Sequence, residues 1–340
     1  MRIAIYGCGA MGTVIGAFLA RAGLSVDLVD TSEAVVDRVN RSGLELIGYE
    51  NFVQPARALL PCQVEGRYDL VLLLTKQMDN QEVFRAVEPH LNGDTTLLSL
   101  QNGYPEPLLC ERFGAGRVVG GITNWGADHV SPGVSRVTQP LARTLPLFEL
   151  GLPPGGSRDR LLGAAQVLER MGVTDTTQDL SGIRWTNLLW NTGMSGMSAV
   201  LGVTFDAVLD SERAMRQVGR IGAEVGRVCA AAGCRFQKLP GFYLDFDRVV
   251  RRGDAETERV LIGLIRDTYA DLRTARASML QDLERGRRTE VDFLNGFICA
   301  TGRRYGIPTP FNDKVVELIH AIEDGRHRID FAENLNLFQP

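Results

Sequence analysis

IAIYGCGAMG (residues 3–12) places a branched and aromatic run directly before three glycines spaced as GxGxxG. Ile3, Ile5 and Tyr6 favour a strand. TVIGAFLARAG (13–23) then repeats apolar residues at helical spacing and stops at Gly23, and SVDLVD (25–30) reads as a second strand. Strand, glycine turn, helix and strand thus fall within about 30 residues, the frame in which GxGxxG signals a dinucleotide site. Gly7 permits the tight turn, Gly9 lets backbone approach a pyrophosphate, and Gly12 lets the helix lie close to the strand. Ala10 and Met11 open that helix, whose N-terminal N–H groups attract phosphate.

Asp30 closes the second strand. A carboxylate there accepts hydrogen bonds from ribose hydroxyls and repels a 2′-phosphate. Thr31-Ser32-Glu33 adds no cation, so NAD(H) is expected over NADP(H). Two alternatives stand beside this. Asp30 would serve equally to cap the helix beginning near Ser32, and Arg38 or Arg41 on that helix would reverse the preference by reaching the ribose.

Outward from this unit, YDLVLLLT (68–75), TTLLSL (95–100) and RVVGGIT (117–123) read as strands with helical stretches between them. The alternation predicts an α/β, Rossmann-type doubly wound parallel sheet. Residues 130–151 read as a β-ribbon extending it. Ligands of such sheets lie at the carboxyl ends of the strands, where Lys76 and Gln101-Asn102-Gly103 follow two strand ends. A solvated lysine and a simple turn are the plain alternatives. After 172–180 the strand signals stop, and helices are predicted at 182–201, 205–232, roughly 255–284, 289–304 and 311–324. The expected domains are therefore 1–179, dinucleotide-binding, and 180–340, an all-α part for substrate and dimerisation. Residues 240–256 are irregular and read as a flap or a packing insertion.

Hydrophobic residues form 44% of the chain and charged residues 23%, ordinary values for a globular protein. Net charge is −4 with basic and acidic residues interspersed, which argues against nucleic-acid binding. Cys8, Cys62, Cys110, Cys229, Cys234 and Cys299 form no CxxC pair, so free thiols in a reducing cytoplasm are expected and a metal site is not. The glycines within 3–20 argue against a signal peptide, and no apolar run is long enough to cross a bilayer. The pattern suits a homodimer as well as a monomer.

WTNLLWNTGMS (185–195) places Asn187, Asn191 and Ser195 at i, i+4 and i+8, one polar stripe on a helix otherwise rich in large apolar residues. Two amides and a hydroxyl in such a setting are costly unless something bonds them.

Nearly end to end, the chain resembles the ketopantoate reductase family (2-dehydropantoate 2-reductases). GCGAMG, the Lys76 strand end, SLQNG (99–103), WTNLLWN (185–191), SMLQDLERGRRTEVDFLNG (278–296) and YGIPTP (305–310) carry the likeness. The resemblance implies NAD(P)H-dependent reduction of a small 2-oxo acid or related carbonyl compound, by hydride transfer in an interdomain cleft. It implies that Lys76 and Asn102 lie by cofactor and substrate, that Asn191 binds substrate, that Ser278 binds its carboxylate, and that Glu290 stands near its hydroxyl. Without it, Ser278 reads as a helix cap and Thr289-Glu290 as an N-cap with an acid on the helix dipole.

Two positions depart from the family pattern. Its general-acid lysine is Asn187 here, and Ser195 stands where relatives often carry asparagine. General acid catalysis is commonly worth ~10²–10⁴-fold, and an amide cannot deliver a proton. Three readings compete. Another group gives the proton, with Lys76 first and Glu290 or a water held by Asn187 behind it; or the substrate is a C=N compound needing no acid, an imine or opine-type reaction; or the chain is an inactive dinucleotide-binding sensor or scaffold.

Overall fold

The computed structural model describes residues 1–143, 146–237 and 246–338. The chain divides into two compact units, Met1–Leu180 and Ser181–Pro340.

The first unit begins with β1 (Arg2–Tyr6), α1 (Ala10–Arg21), β2 (Ser25–Val29), α2 (Glu33–Ser42), β3 (Leu44–Gly48), β4 (Phe52–Gln54) and β5 (Arg57–Leu59). It continues with β6 (Leu70–Leu73), α3 (Asn80–Val87), β7 (Thr96–Ser99), α4 (Glu106–Phe113), β8 (Val118–Thr123), β9 (Ala127–Ser131) and β10 (Val134–Val137). β11 (Phe148–Gly151), α5 (Arg158–Leu168) and β12 (Thr174–Thr177) complete it. The main sheet has the order β12-β11-β8-β7-β6-β1-β2-β5. All its neighbours run parallel except β8 and β11. From β1 the chain builds outward to β5 on one side, then returns to build from β6 on the other. That switch point lies between β1 and β6, and the crevice beyond their carboxyl ends is where such sheets take ligands.

β1 is apolar throughout because both faces are covered. Ile3 and Ile5 join Leu28, Leu72 and Leu98 on one face, while Ala4 and Tyr6 join Val29, Val71 and Leu73 on the other.

The strands at 44–59 were not anticipated from sequence. Two of them have only three residues, and their pairing partners are set by the rest of the fold. The ribbon expected at 130–151 is also corrected. β9 and β10 leave the main sheet to form a second one, β4-β3-β10-β9, with β10 parallel to β3. β11 alone extends the main sheet, and residues 144–145 of that stretch lie outside the described residues. The small sheet packs on α1, with Phe18 edge-on to Phe52 at 5.4 Å.

The second unit is helical: α6 (Leu180–Trp190), α7 (Gly196–Leu201), α8 (Phe205–Asp210), α9 (Glu212–Ala231), α10 (Phe246–Val250), α11 (Ala255–Thr268), α12 (Ser278–Glu284), α13 (Asn295–Tyr305), α14 (Pro310–Glu323) and α15 (Phe331–Asn336). Its core gathers Trp185, Leu188, Leu189, Met194 and Met197 with Val218, Ile221 and Val225 of α9 and Ile298, Val315 and Ile319. Three long helices expected from periodicity are interrupted. Residues 205–232 break at Ser211, whose hydroxyl accepts from Ala214 N at 3.2 Å and caps α9. Residues 255–284 end at Thr268 and resume at Ser278, and 289–304 is helical in α-form only from Asn295. Of the irregular stretch 240–256, residues 240–245 lie outside the described residues. The remainder forms the short α10 and an Asp254–Thr257 capping box that opens α11.

No helix among the described residues is long and apolar enough to cross a membrane.

Candidate functional site

Gly7 has φ +100°, and a Cβ there would stand 2.9 Å from Leu74 C and Thr75 N. A Cβ on Gly12 would stand 1.9 Å from Gly7 O, so the turn can close only with glycine at both positions. Gly9 differs: nothing lies within 4 Å of the place its Cβ would take. Gly9 is also the N-cap of α1 and has no side chain to occupy the first-turn N–H groups. The open backbone and helix dipole therefore fit the pyrophosphate of a dinucleotide. Ala10 and Met11, half-buried, form the first turn of that helix.

Asp30 follows β2 directly. Its carboxylate accepts from Cys8 N at 2.8 Å and Ser32 N at 2.9 Å, tying the glycine turn to the start of α2. The alternative reading of Asp30 as the helix cap does not hold: Ser32 is the N-cap, accepting from Val35 N. Arg38 is held at 2.8 Å by Glu45 and also bonds Gly43 O, while Arg41 bonds Asp37 O. Burial, and then the Asp30 charge, push the Cys8 thiol well above its ordinary value.

Lys76, half-buried, follows β6 and precedes a single 3-10 turn, Gln77–Asp79. Burial raises the Asp79 carboxyl, with the Lys76 charge opposing. Asn102 follows β7. A set of amides that sequence reasoning undervalued stitches these two strand ends together. Gln101 Nε2 donates to Thr75 O at 2.9 Å and Asn80 Oδ1 at 2.7 Å, and Gln101 Oε1 accepts from Ser99 Oγ at 3.1 Å. Gln77 Nε2 donates to Asn102 O at 2.5 Å. Gln77 and Asn80 gave no signal because a polar residue after a strand usually reads as loop. The first unit thus collects the glycine turn, Asp30, Lys76 and Asn102 at the carboxyl ends of β1, β2, β6 and β7.

In the second unit the polar stripe bonds to itself. Asn191 Nδ2 donates to Asn187 Oδ1 and Asn187 O, each at 3.0 Å, and Ser195 Oγ donates to Asn191 Oδ1 at 3.4 Å. Asn187 keeps its Nδ2 without a partner among the described residues. Residues Asn191–Ser195 form a π turn between α6 and α7, a feature periodicity does not reveal. α12 packs against this turn. Ser278 is the first residue of α12, not its cap; its hydroxyl is exposed and has no hydrogen-bond partner among the described residues. Glu290 is buried at the end of a clamped loop. Thr289 N donates to Glu323 Oε1 at 2.7 Å and Arg288 bonds Glu323 and Asp324. Thr289 does not cap α13: its hydroxyl accepts from Val291 N, opening a 3-10 turn.

The family model "Ketopantoate reductase PanE/ApbA" matches residues 3–149, and its C-terminal counterpart matches residues 179–323. The chain belongs to the ketopantoate reductase family. A 2-dehydropantoate 2-reductase of Pyrococcus horikoshii is 28% identical over 95% of this chain and 98% of its own. A PanE/ApbA family ketopantoate reductase from Ralstonia eutropha JMP134 superposes with TM-score 0.78 at 26% identity, over 96% of this chain and 100% of that one. A D-mandelate dehydrogenase solved with NADH and anilino(oxo)acetate shares the fold at TM-score 0.81 and 24% identity, over 96% and 99%. Within the ketopantoate reductase family, then, this chain has an amide at position 187 and a hydroxyl at 195.

Proposed function

We propose that this chain is a nicotinamide-dependent oxidoreductase that reduces a small 2-oxo acid and prefers NADH to NADPH. The observation that carries the reading is the glycine turn, closed at Gly7 and Gly12 and open at Gly9, in a chain whose two halves both match ketopantoate reductases. 2-Dehydropantoate, the compound in the names of its curated relatives, is a 2-oxo acid. The NADH preference is supported by the Asp30 carboxylate beside the turn and by Arg38 being held by Glu45.

When bound, reduced nicotinamide supplies the hydride. Asn187 then serves as a donor: its Oδ1 is occupied by Asn191, so its Nδ2 is the end left for a developing alkoxide. Such a preorganised donor stabilises negative charge as it forms. The Ser278 hydroxyl, unspent within the protein, holds the substrate carboxylate. Asn102 and Asn191 orient the reactants, Ser195 holds Asn191, and Glu290 faces the substrate hydroxyl. Lys76 supplies the proton that the family lysine would give.

Steady-state NADH oxidation across a series of 2-oxo acids, with Lys76→Ala beside wild type, tests this. Wild type is expected to turn over, and Lys76→Ala to lose ~10²–10⁴-fold in kcat. Unchanged turnover in Lys76→Ala would remove that residue from the role.

A further inference from the structure

The π turn Asn191–Ser195 is tied to α9, α13 and α14 by a line of buried polar groups that the proposed chemistry does not use. At one end stands Glu224 of α9, fully buried, whose carboxylate accepts from Phe311 N and Asn312 N at 2.9 Å each. These are first-turn N–H groups of α14, so the carboxylate satisfies donors that the helix itself cannot. Asn312 Nδ2 also donates to Glu224 Oε2, at 2.7 Å. Asn312 Oδ1 accepts from Asn295 Nδ2 at 3.0 Å, and the same Nδ2 donates to Thr192 O, inside the π turn, at 3.2 Å. Glu224, Asn312 and Asn295 are all 0% exposed.

The line has a direction. A carboxylate only accepts, so Asn312 must turn its NH₂ towards Glu224 and its oxygen towards Asn295. Asn295 must then present its own NH₂, which reaches the Thr192 carbonyl. Asn295 Oδ1 is left buried and unpaired. Flipping the amide to relieve it would set oxygen against both Asn312 Oδ1 and Thr192 O, a worse arrangement. The carboxylate therefore dictates the orientation of every amide up to the π turn.

From the π turn the second polar line begins: Ser195 to Asn191 to Asn187. We propose that Glu224, Asn312 and Asn295 form a positioning relay that locks the π turn and so fixes the direction of the Asn187 NH₂. Asn295 is the positioning residue in contact with the turn; none of the three touches substrate. The inference rests on the proposed function only in giving Asn187 its substrate-facing role.

The test compares Asn295→Leu with Asn334→Leu. Asn334 is a matched control: it is also 0% exposed, and its Nδ2 donates to Val200 O of α7 at 2.7 Å, beyond the π turn. Thermal stability should fall in both. In Asn295→Leu alone, kcat for a 2-oxo acid should fall by about tenfold or more, since a misplacement of ~1 Å can cost ~10²-fold. Its KM for NADH should stay near the wild-type value, because the glycine turn is untouched. Backbone amide exchange over 191–196 should speed up in Asn295→Leu and not in Asn334→Leu. Equal losses of kcat in both variants, or unchanged exchange over 191–196, would overturn the relay. Asn295→Asp, which keeps the shape and removes the NH₂, gives the same readings if the leucine variant does not fold. The exchange arm needs no turnover, so it decides the relay even if no 2-oxo acid proves to be a substrate.

Discussion

Two alanine substitutions three residues apart should separate folding from cofactor binding. In Gly12→Ala the new Cβ would sit 1.9 Å from Gly7 O, a backbone atom that no rotamer change can move. Non-bonded heavy atoms settle at roughly 3.5–4.0 Å, so α1 must lift from β1. Overpacking commonly costs ~1–3 kcal/mol, and a clash with backbone belongs at the upper end. At ~2–4 °C per kcal/mol for a unit of this size, the expected drop in Tm is roughly 6–12 °C. Gly9→Ala is the opposite case. Its φ of −68° suits alanine and nothing lies within 4 Å, so the Tm should stay within about 2 °C of wild type. Yet its methyl occupies the space through which backbone N–H groups reach a pyrophosphate. Losing one hydrogen bond to a charged group is worth ~1.5–3 kcal/mol, or roughly 10–150-fold in Kd. Calorimetric melting and NADH fluorescence titration measure the two effects. A Gly9→Ala variant that binds NADH as tightly as wild type would refute the placement of the pyrophosphate at this turn.

Asp30→Asn should narrow the NADH-over-NADPH preference in kcat/KM by about tenfold or more, since one charge facing a 2′-phosphate is gone; an unchanged ratio would place the discrimination elsewhere. Thiol reactivity gives a pH test. Burial pushes the Cys299 thiol up to about 12, so at pH 8 its thiolate fraction is about 10⁻⁴. Exposed Cys62 should react first in the native protein at pH 8. Cys8 and Cys299 should react only on unfolding, and native Cys299 labelling as fast as Cys62 would contradict its burial.

The glycine turn was legible from sequence because its demands are local. Gly12 is required by its contact with Gly7 O, and Gly7 by its positive φ, both within one strand–turn–helix unit, so the spacing announces them. The Leu74–Thr75 backbone that also closes on Gly7 is not local and was not legible. The Asn187–Asn191–Ser195 stripe was legible for the same reason, being a consequence of helical spacing. How it satisfies its hydrogen bonds was not legible, nor was the π turn within it. The Thr192 carbonyl is met by Asn295, 103 residues away, and no window of sequence contains both. The same limit hid β3 to β5, whose short runs become strands only beside partners such as β10 and β2. It also hid the amides of Gln77 and Asn80, which matter only because Gln101 and Asn102 are brought beside them. Asp30 was placed correctly at the strand end, but the capping role belonged to Ser32, since its hydroxyl rather than the carboxylate reaches Val35 N.

The substitution at position 187 offers the most direct measurement: steady-state NADH oxidation with ketopantoate and other 2-oxo acids, wild type beside Asn187→Lys. Turnover by the wild-type protein, faster with NADH than with NADPH, is the expected result and makes Asn187 a working donor. Wild type inert with every 2-oxo acid, while Asn187→Lys reduces ketopantoate, would contradict it, leaving a family scaffold whose own chemistry is not 2-oxo acid reduction.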